Sequence, residues 1–259
     1  MISFVGAGPG AADLVTLRAV QRLEAADVVL WAGSLVSPDV LGHCRTDVQL
    51  HDTKSMTLEA VVAVFDQHPD SAIVRLHSGD PSIYSAINEQ IAWCVANGRS
   101  FEVVPGVSSF SAAAAAVAAE LTVPGISQSV VLTRLARRTV GSLGRGDDFA
   151  ALAALGGVMA LFLSAGDPDT LQEQLLAPGS AYTAATPAVI AHRVSWPDEL
   201  LITTTVGRLA DELTGHGIRM SALVLVGDAL ATARPAGACR SHVYDPAFAH
   251  RYRPGQDAG

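Results

Sequence analysis

Long apolar runs, cysteines, aromatic residues and surplus basic charge are all scarce in this chain, and each shortage removes a class of function. The longest wholly apolar runs, residues 112–119 and 158–163, are far too short to span a bilayer, so no membrane association is expected. Cys44, Cys94 and Cys239 are odd in number and far apart, which suits a reducing compartment and gives no metal-ligand spacing. His43, His51, His77 and the remaining histidines form no His-Glu-x-x-His or His-x-His group, and no metal site is expected. Seventeen basic side chains against twenty-five acidic ones leave a net charge of −8, which disfavours nucleic acid as a partner. A polyanionic substrate therefore needs a local basic site. The first residues, Met1-Ile2-Ser3-Phe4-Val5, carry no basic region of the kind a signal peptide has, and a cytoplasmic location is expected.

What is present is an alanine-rich chain of 259 residues, 49% hydrophobic, long enough for one large or two small α/β domains. Strands are expected at 2–5, 27–31, 48–50, 72–76 and 101–104. The helices between them are expected from near Asp13, at 58–66, from Pro81 through Ile91 and through the alanine run to Ala119. In the first of these, Leu14, Leu17, Val20 and Leu23 mark the buried face. Strand followed by helix, repeated, predicts a mostly parallel sheet covered on both faces. Leu121-Thr122-Val123-Pro124-Gly125 breaks the pattern and sets the expected division, 1–123 against 126–250, with a loose tail at 251–259. Further strands are expected at 129–133, 158–163, 187–192, 200–206 and 222–227, with helices at 169–176 and 209–213. The 200–206 strand follows 187–192 without an intervening helix, so a mixed sheet is expected there.

Three glycine turns follow strands directly: Gly6 to Gly10, Ser78 to Pro81 and Pro105 to Ser109. In a parallel sheet they share the carboxyl edge, where ligands of open α/β sheets bind. Asp80 sits where a helix N-cap belongs and Pro81 where the first helical residue belongs. Asp80 is thus either a cap or a direct ligand. Tyr84, in the first expected helical turn, either faces that crevice or packs in the core. Gly6-Ala7-Gly8-Pro9-Gly10-Ala11 also fits the Gly-x-Gly-x-x-Gly/Ala dinucleotide fingerprint. Pro9 and Gly10 stiffen that loop, and no acidic residue ends the second strand. An FAD- or NAD-dependent oxidoreductase is the rival reading of this loop.

Residues 5–19, Ser78-Gly79-Asp80-Pro81-Ser82-Ile83-Tyr84 and Pro105-Gly106-Val107-Ser108-Ser109 closely resemble, in order and spacing, the signatures of the tetrapyrrole (corrin/porphyrin) methylase family. The resemblance covers nearly the whole chain. It implies two α/β domains, a cleft between them that holds the ligand, a homodimer, and methyl transfer from S-adenosylmethionine (SAM) with S-adenosylhomocysteine as product. It implies SAM contacts at Pro9, Ser78, Gly79, Asp80, Ile83, Ser108 and Ser109, and from the second domain at Leu163, Val194 and Ala222. Trp31-Ala32-Gly33-Ser34-Leu35-Val36 and residues 127–134 are similar to the branch that methylates C-11 of precorrin-4 in cobalamin biosynthesis. Arg137-Arg138-Thr139-Val140 lacks the proline that follows in that branch's motif.

Precorrins carry many carboxylates. Lys54, Arg134, Arg137 and Arg138 are local cations suited to a polycarboxylated tetrapyrrole. The same four form an ordinary solvated basic surface if the substrate lies elsewhere. Cobalt-precorrin-4, uroporphyrinogen III or a protein histidine are alternative acceptors within the family, and a tetrapyrrole carrier without turnover is another possibility. A sulfonium methyl is already activated, so the reaction asks for alignment more than for acid–base groups. No catalytic base is identified; Asp80 and Tyr84 are positioning candidates.

Overall fold

The structure, a computed structural model, describes residues 1–135, 141, 144, 148–231 and 241–255. The chain divides into two units. The first comprises 1–113 with 192–200, and the second 114–191 with 201–259. Val194, expected from the second domain, therefore belongs to the first unit.

In the first unit β1 (Ile2–Gly6), β2 (Val28–Trp31), β3 (Gln49–Asp52), β4 (Ile73–His77) and β5 (Phe101–Val104) form one sheet in the order β3-β2-β4-β1-β5. Every pair is parallel. Alternation along the strands sends Val5, Val29, Val74, Leu76 and Val104 to one face against Ala19 and Leu23 of α1 (Leu17–Glu24). Ile2, Phe4, Val28, Leu30 and Ile73 face Val61, Val64 and Phe65 of α2 (Leu58–Gln67) and Cys94 of α3 (Asn88–Ala96). Both faces are covered, which a parallel sheet requires. Arg22 reaches from α1 to Glu102 on the edge strand β5, and Ser3 Oγ donates to the same carboxylate at 2.8 Å.

Two helix starts differ from expectation. α1 begins at Leu17, capped by Thr16 Oγ1, which accepts the Ala19 N–H at 3.1 Å. A 3-10 turn occupies Ala12–Leu14 instead. Leu17 consequently stands at the first helical position, 83% exposed, and Ala19 with Leu23 forms the buried stripe. The helix expected from Pro81 begins only at Asn88, as α3, without a side-chain cap. Residues 81–84 turn and bend and 85–87 are irregular, with Tyr84 and Ala86 at φ of 53° and 48°. A helix cannot run through two left-handed residues.

α4 (Ser109–Ala116) follows the third glycine turn. In the second unit β6 (Val130–Arg134), β7 (Val158–Phe162), β8 (Pro187–His192), β9 (Leu200–Thr205) and β10 (Ala222–Val226) form a mixed sheet in the order β6-β7-β10-β8-β9. β6 is parallel to β7, and β10 antiparallel to it. α5 (Phe149–Ala153), which periodicity did not reveal, joins α6 (Pro168–Leu175) and α7 (Leu209–Gly215). Among the described residues no helix is long and apolar enough to cross a membrane. Cys44 and Cys94 are free thiols, and Cys239 lies outside the described residues.

Candidate functional site

β4, β1 and β5 are neighbours running the same way, so their three glycine turns emerge at one edge. There the turns touch. The Gly8 N–H donates to the Gly79 carbonyl at 3.2 Å and the Gly79 N–H to the Gly8 carbonyl at 2.8 Å. A Cβ on Gly6 would lie 2.5 Å from Gly106 Cα, and one on Gly106 would lie 2.2 Å from the Gly79 carbonyl oxygen. The Gly79 backbone faces Ser108 and Ser109, and its φ of +65° is a conformation that side chains disfavour. Pro9, Ser78, Gly79, Asp80, Ser108 and Ser109 are thus brought to one corner, with Ile83 in the turn beyond.

Asp80 caps no helix. Its Oδ1 accepts the Ser82 N–H at 2.8 Å and the Ser82 hydroxyl, closing an Asx turn, while Oδ2 accepts the Gly106 N–H at 2.9 Å. Burial works against its ionisation, but the Ser82 hydroxyl and the two backbone N–H groups together hold its carboxyl below the usual aspartate range. Its role in the structure is to tie the second glycine turn to the third. Tyr84 is 46% exposed, so it is not core packing.

The dinucleotide reading of the Gly6 loop fails on geometry. Such a loop opens directly into a helix whose free N–H groups meet the pyrophosphate. Here a 3-10 turn follows, and α1 starts at Leu17. The Ala7 N–H donates to the His77 carbonyl at 2.8 Å, the Gly8 N–H to Gly79 and the Ala11 N–H to Ser195 Oγ at 3.0 Å. Little of the loop's donor capacity remains for phosphate. A nucleoside without phosphates suits it better.

Beneath this edge His77 is 5% exposed, and its Nε2 has no partner among the described residues. Burial first, and the Arg75 charge second, push its pKa down to about 3. In the unfolded chain a histidine titrates near 6.5, so on acidification the unfolded state takes up the proton first. The stability His77 contributes is complete above about 6.5 and is lost as pH falls toward about 3, at most about 1.4 kcal/mol per pH unit. Urea midpoints measured across that window should fall less steeply for His77→Leu than for the natural chain; equal slopes would contradict the assignment.

Asp52 organises the 32–36 loop. Its Oδ1 accepts the Gly33 and Lys54 N–H groups, each at 3.0 Å, and Lys54 Nζ lies 3.0 Å from Oδ2. Lys54 is therefore already paired, though at an exposed position where such a pair contributes little to stability. Arg137 and Arg138 lie outside the described residues.

In the second unit three expected residues share one sheet edge. Arg134 pairs with Phe162 at the carboxyl ends of β6 and β7, and Leu163 follows. β10 pairs Val224 with Leu161, and continuing that register sets Ala222 opposite Leu163. Leu163 is 70% exposed at a φ of 53°. Next to it Ser164 is buried, its hydroxyl donating to the Phe162 carbonyl at 2.7 Å and accepting the Leu135 N–H at 2.9 Å. A solvent-exposed leucine held in a left-handed conformation costs on the order of 1–2 kcal/mol without a packing return. Leu163→Gly should leave stability within about 1 kcal/mol of the natural chain, the relief of strain offsetting the entropy of glycine. A loss of stability above about 2 kcal/mol in urea unfolding would show that Leu163 packs rather than presents itself.

Ser195 and Trp196 were not among the expected residues. The Trp196 indole N–H donates to the Pro9 carbonyl at 2.9 Å. The sequence signal was a Ser-Trp-Pro-Asp-Glu turn between two strands, but its partner is far away in the chain.

The profile of the tetrapyrrole (corrin/porphyrin) methylases matches residues 1–210. A precorrin-4 C(11)-methyltransferase of Rhodococcus erythropolis is 40% identical over 233 residues, 89% of this chain and 92% of that protein. A cobalt-precorrin-4 C(11)-methyltransferase of Priestia megaterium is 38% identical over 253 residues, 97% of this chain and 96% of that protein. Among solved structures, a cobalt-precorrin-4 methyltransferase of cobalamin biosynthesis matches with a TM-score of 0.84 and 38% identity, covering 89% of this chain and 95% of that one.

Proposed function

Because the chain belongs to the tetrapyrrole (corrin/porphyrin) methylase family, we propose that it is a SAM-dependent methyltransferase acting on C-11 of precorrin-4 in cobalamin biosynthesis. The observation that carries the donor half of this reading is the contact of three glycine turns at one edge of the first sheet. That corner is built of main chain, in space a Cβ would fill, and it suits a nucleoside held by backbone groups. SAM, when bound, supplies a sulfonium-activated methyl. The residues proposed to hold it are Pro9, Ser78, Gly79, Asp80, Ile83, Ser108, Ser109 and Val194 of the first unit, with Leu163 and Ala222 of the second.

The chain's own task is alignment. Orientation of donor and acceptor can supply on the order of 7–11 kcal/mol of a barrier. Asp80 contributes by fixing the Gly79 and Gly106 turns relative to each other, and its oxygens are engaged in doing so. Lys54, Arg134, Arg137 and Arg138 are proposed to meet the carboxylates of the tetrapyrrole, which the net charge of −8 would otherwise repel. A homodimer, supported by the family resemblance, and a cytoplasmic location, supported by the odd and scattered cysteines, belong to the same proposal.

Relatives named for the metal-free and for the cobalt-containing substrate are about equally similar, 40% and 38% identical. Methyl transfer from labelled SAM to precorrin-4, cobalt-precorrin-4 and uroporphyrinogen III, run side by side, tests the assignment. Turnover of precorrin-4 with a single added methyl at C-11 is expected. Transfer to uroporphyrinogen III alone would overturn the substrate.

A further inference from the structure

Residues 193–199, which connect β8 to β9, belong to the first unit and pack on the Gly6 corner. Trp196 donates its indole N–H to the Pro9 carbonyl at 2.9 Å, and Ser195 Oγ accepts the Ala11 N–H at 3.0 Å. A Cβ on Gly10 would sit 2.3 Å from Trp196 Cδ1, so the indole edge lies where only glycine permits it. The turn is braced from within. The Trp196 N–H donates to the Arg193 carbonyl at 2.9 Å, and the Glu199 carboxylate accepts the Ser195 N–H at 2.6 Å. The Arg193 guanidinium stacks 3.9 Å from the Trp196 ring centroid while its Nε meets Asp198 at 2.7 Å. Arg193 and Ser195 are both left-handed, at φ of 48° and 65°. Two strained non-glycine residues in one turn are retained where the shape itself matters.

We propose that Trp196 is a positioning residue for the methyl donor, acting through the Pro9 carbonyl. It fixes the Pro9–Gly10 peptide by its N–H and by the edge of its ring. One face of that ring is covered by Arg193, so its contribution is to set the loop. The inference rests on the reading that the Gly6 corner holds the S-adenosyl nucleotide.

The test uses the full chain, with S-adenosylhomocysteine titrated by calorimetry and steady-state kinetics in SAM and in tetrapyrrole. Trp196→Phe keeps a ring over Gly10 and removes the donor. Its Kd for S-adenosylhomocysteine and KM for SAM should rise about tenfold, with kcat and the tetrapyrrole KM within about twofold. Ser195→Ala, which removes only the acceptor for Ala11, should raise the same Kd about threefold and reads out the turn if the Trp196 variant does not fold. Trp196→Phe binding as tightly as the natural chain overturns the inference, as does a lowered Tm with an unmoved KM for SAM. If the natural chain binds no S-adenosylhomocysteine, the functional reading falls and this inference with it; binding by the natural chain with no change in Trp196→Phe overturns this inference alone.

Discussion

Gly106→Ala is expected to abolish binding of S-adenosylhomocysteine and to destabilise the chain by about 3 kcal/mol. The new Cβ would stand 2.2 Å from the Gly79 carbonyl oxygen and 2.8 Å from Gly6 Cα. Neither neighbour is a side-chain tip that can rotate away; both are backbone of adjoining turns. The third glycine turn must therefore move off the first two, breaking the Asp80 contact to the Gly106 N–H. Overpacking of this kind usually costs 1–3 kcal/mol, and backbone against backbone falls at the top of that range. Urea unfolding gives the stability and calorimetry the binding. A variant as stable as the natural chain, with unchanged affinity, would mean that the turns are not in contact.

Asp80 gives the second large effect. Asp80→Ala leaves the Gly106 and Ser82 N–H groups without their acceptors, at a cost of about 1–3 kcal/mol for each buried group left unpaired. Solvent reaches part of this site, so a total near the lower end is expected. Affinity for S-adenosylhomocysteine should fall at least about tenfold. Asp80→Asn separates shape from chemistry. Its carbonyl can still accept from Ser82, but its NH2 would then face the Gly106 N–H, donor against donor, so asparagine should not restore binding. Acid should mimic the change. The carboxyl is held below its ordinary value, so its contribution is complete above the ordinary aspartate range and lost as pH falls through the lowered one. Full affinity in Asp80→Asn would contradict this role.

The parallel sheet was legible because each of its strands is a short apolar run closed by small or polar residues, which fixes both period and end. The three glycine turns were legible for the same reason, and parallel strands then allow only one edge for them. Asp80-Pro81 misled because both residues fit a helix start by local chemistry. The Asp80 carboxylate instead reaches Gly106, and the chain passes through left-handed Tyr84 and Ala86 before α3 can begin. Leu163 was reached by family resemblance alone, since nothing in a strand-ending Phe-Leu-Ser reports a left-handed leucine. Trp196 escaped altogether: its partner Pro9 is 187 positions away, beyond any local pattern. Local periodicity writes the elements, while contacts between distant turns decide how the corner is locked.

The most direct measurement is calorimetric titration of the chain with S-adenosylhomocysteine, alongside FAD and NAD. If the corner of three glycine turns holds the S-adenosyl nucleoside as proposed, one site of micromolar or tighter affinity for S-adenosylhomocysteine is expected, about −8 kcal/mol or better, and none for either dinucleotide. No heat with S-adenosylhomocysteine, or saturable binding of a dinucleotide in its place, would contradict it.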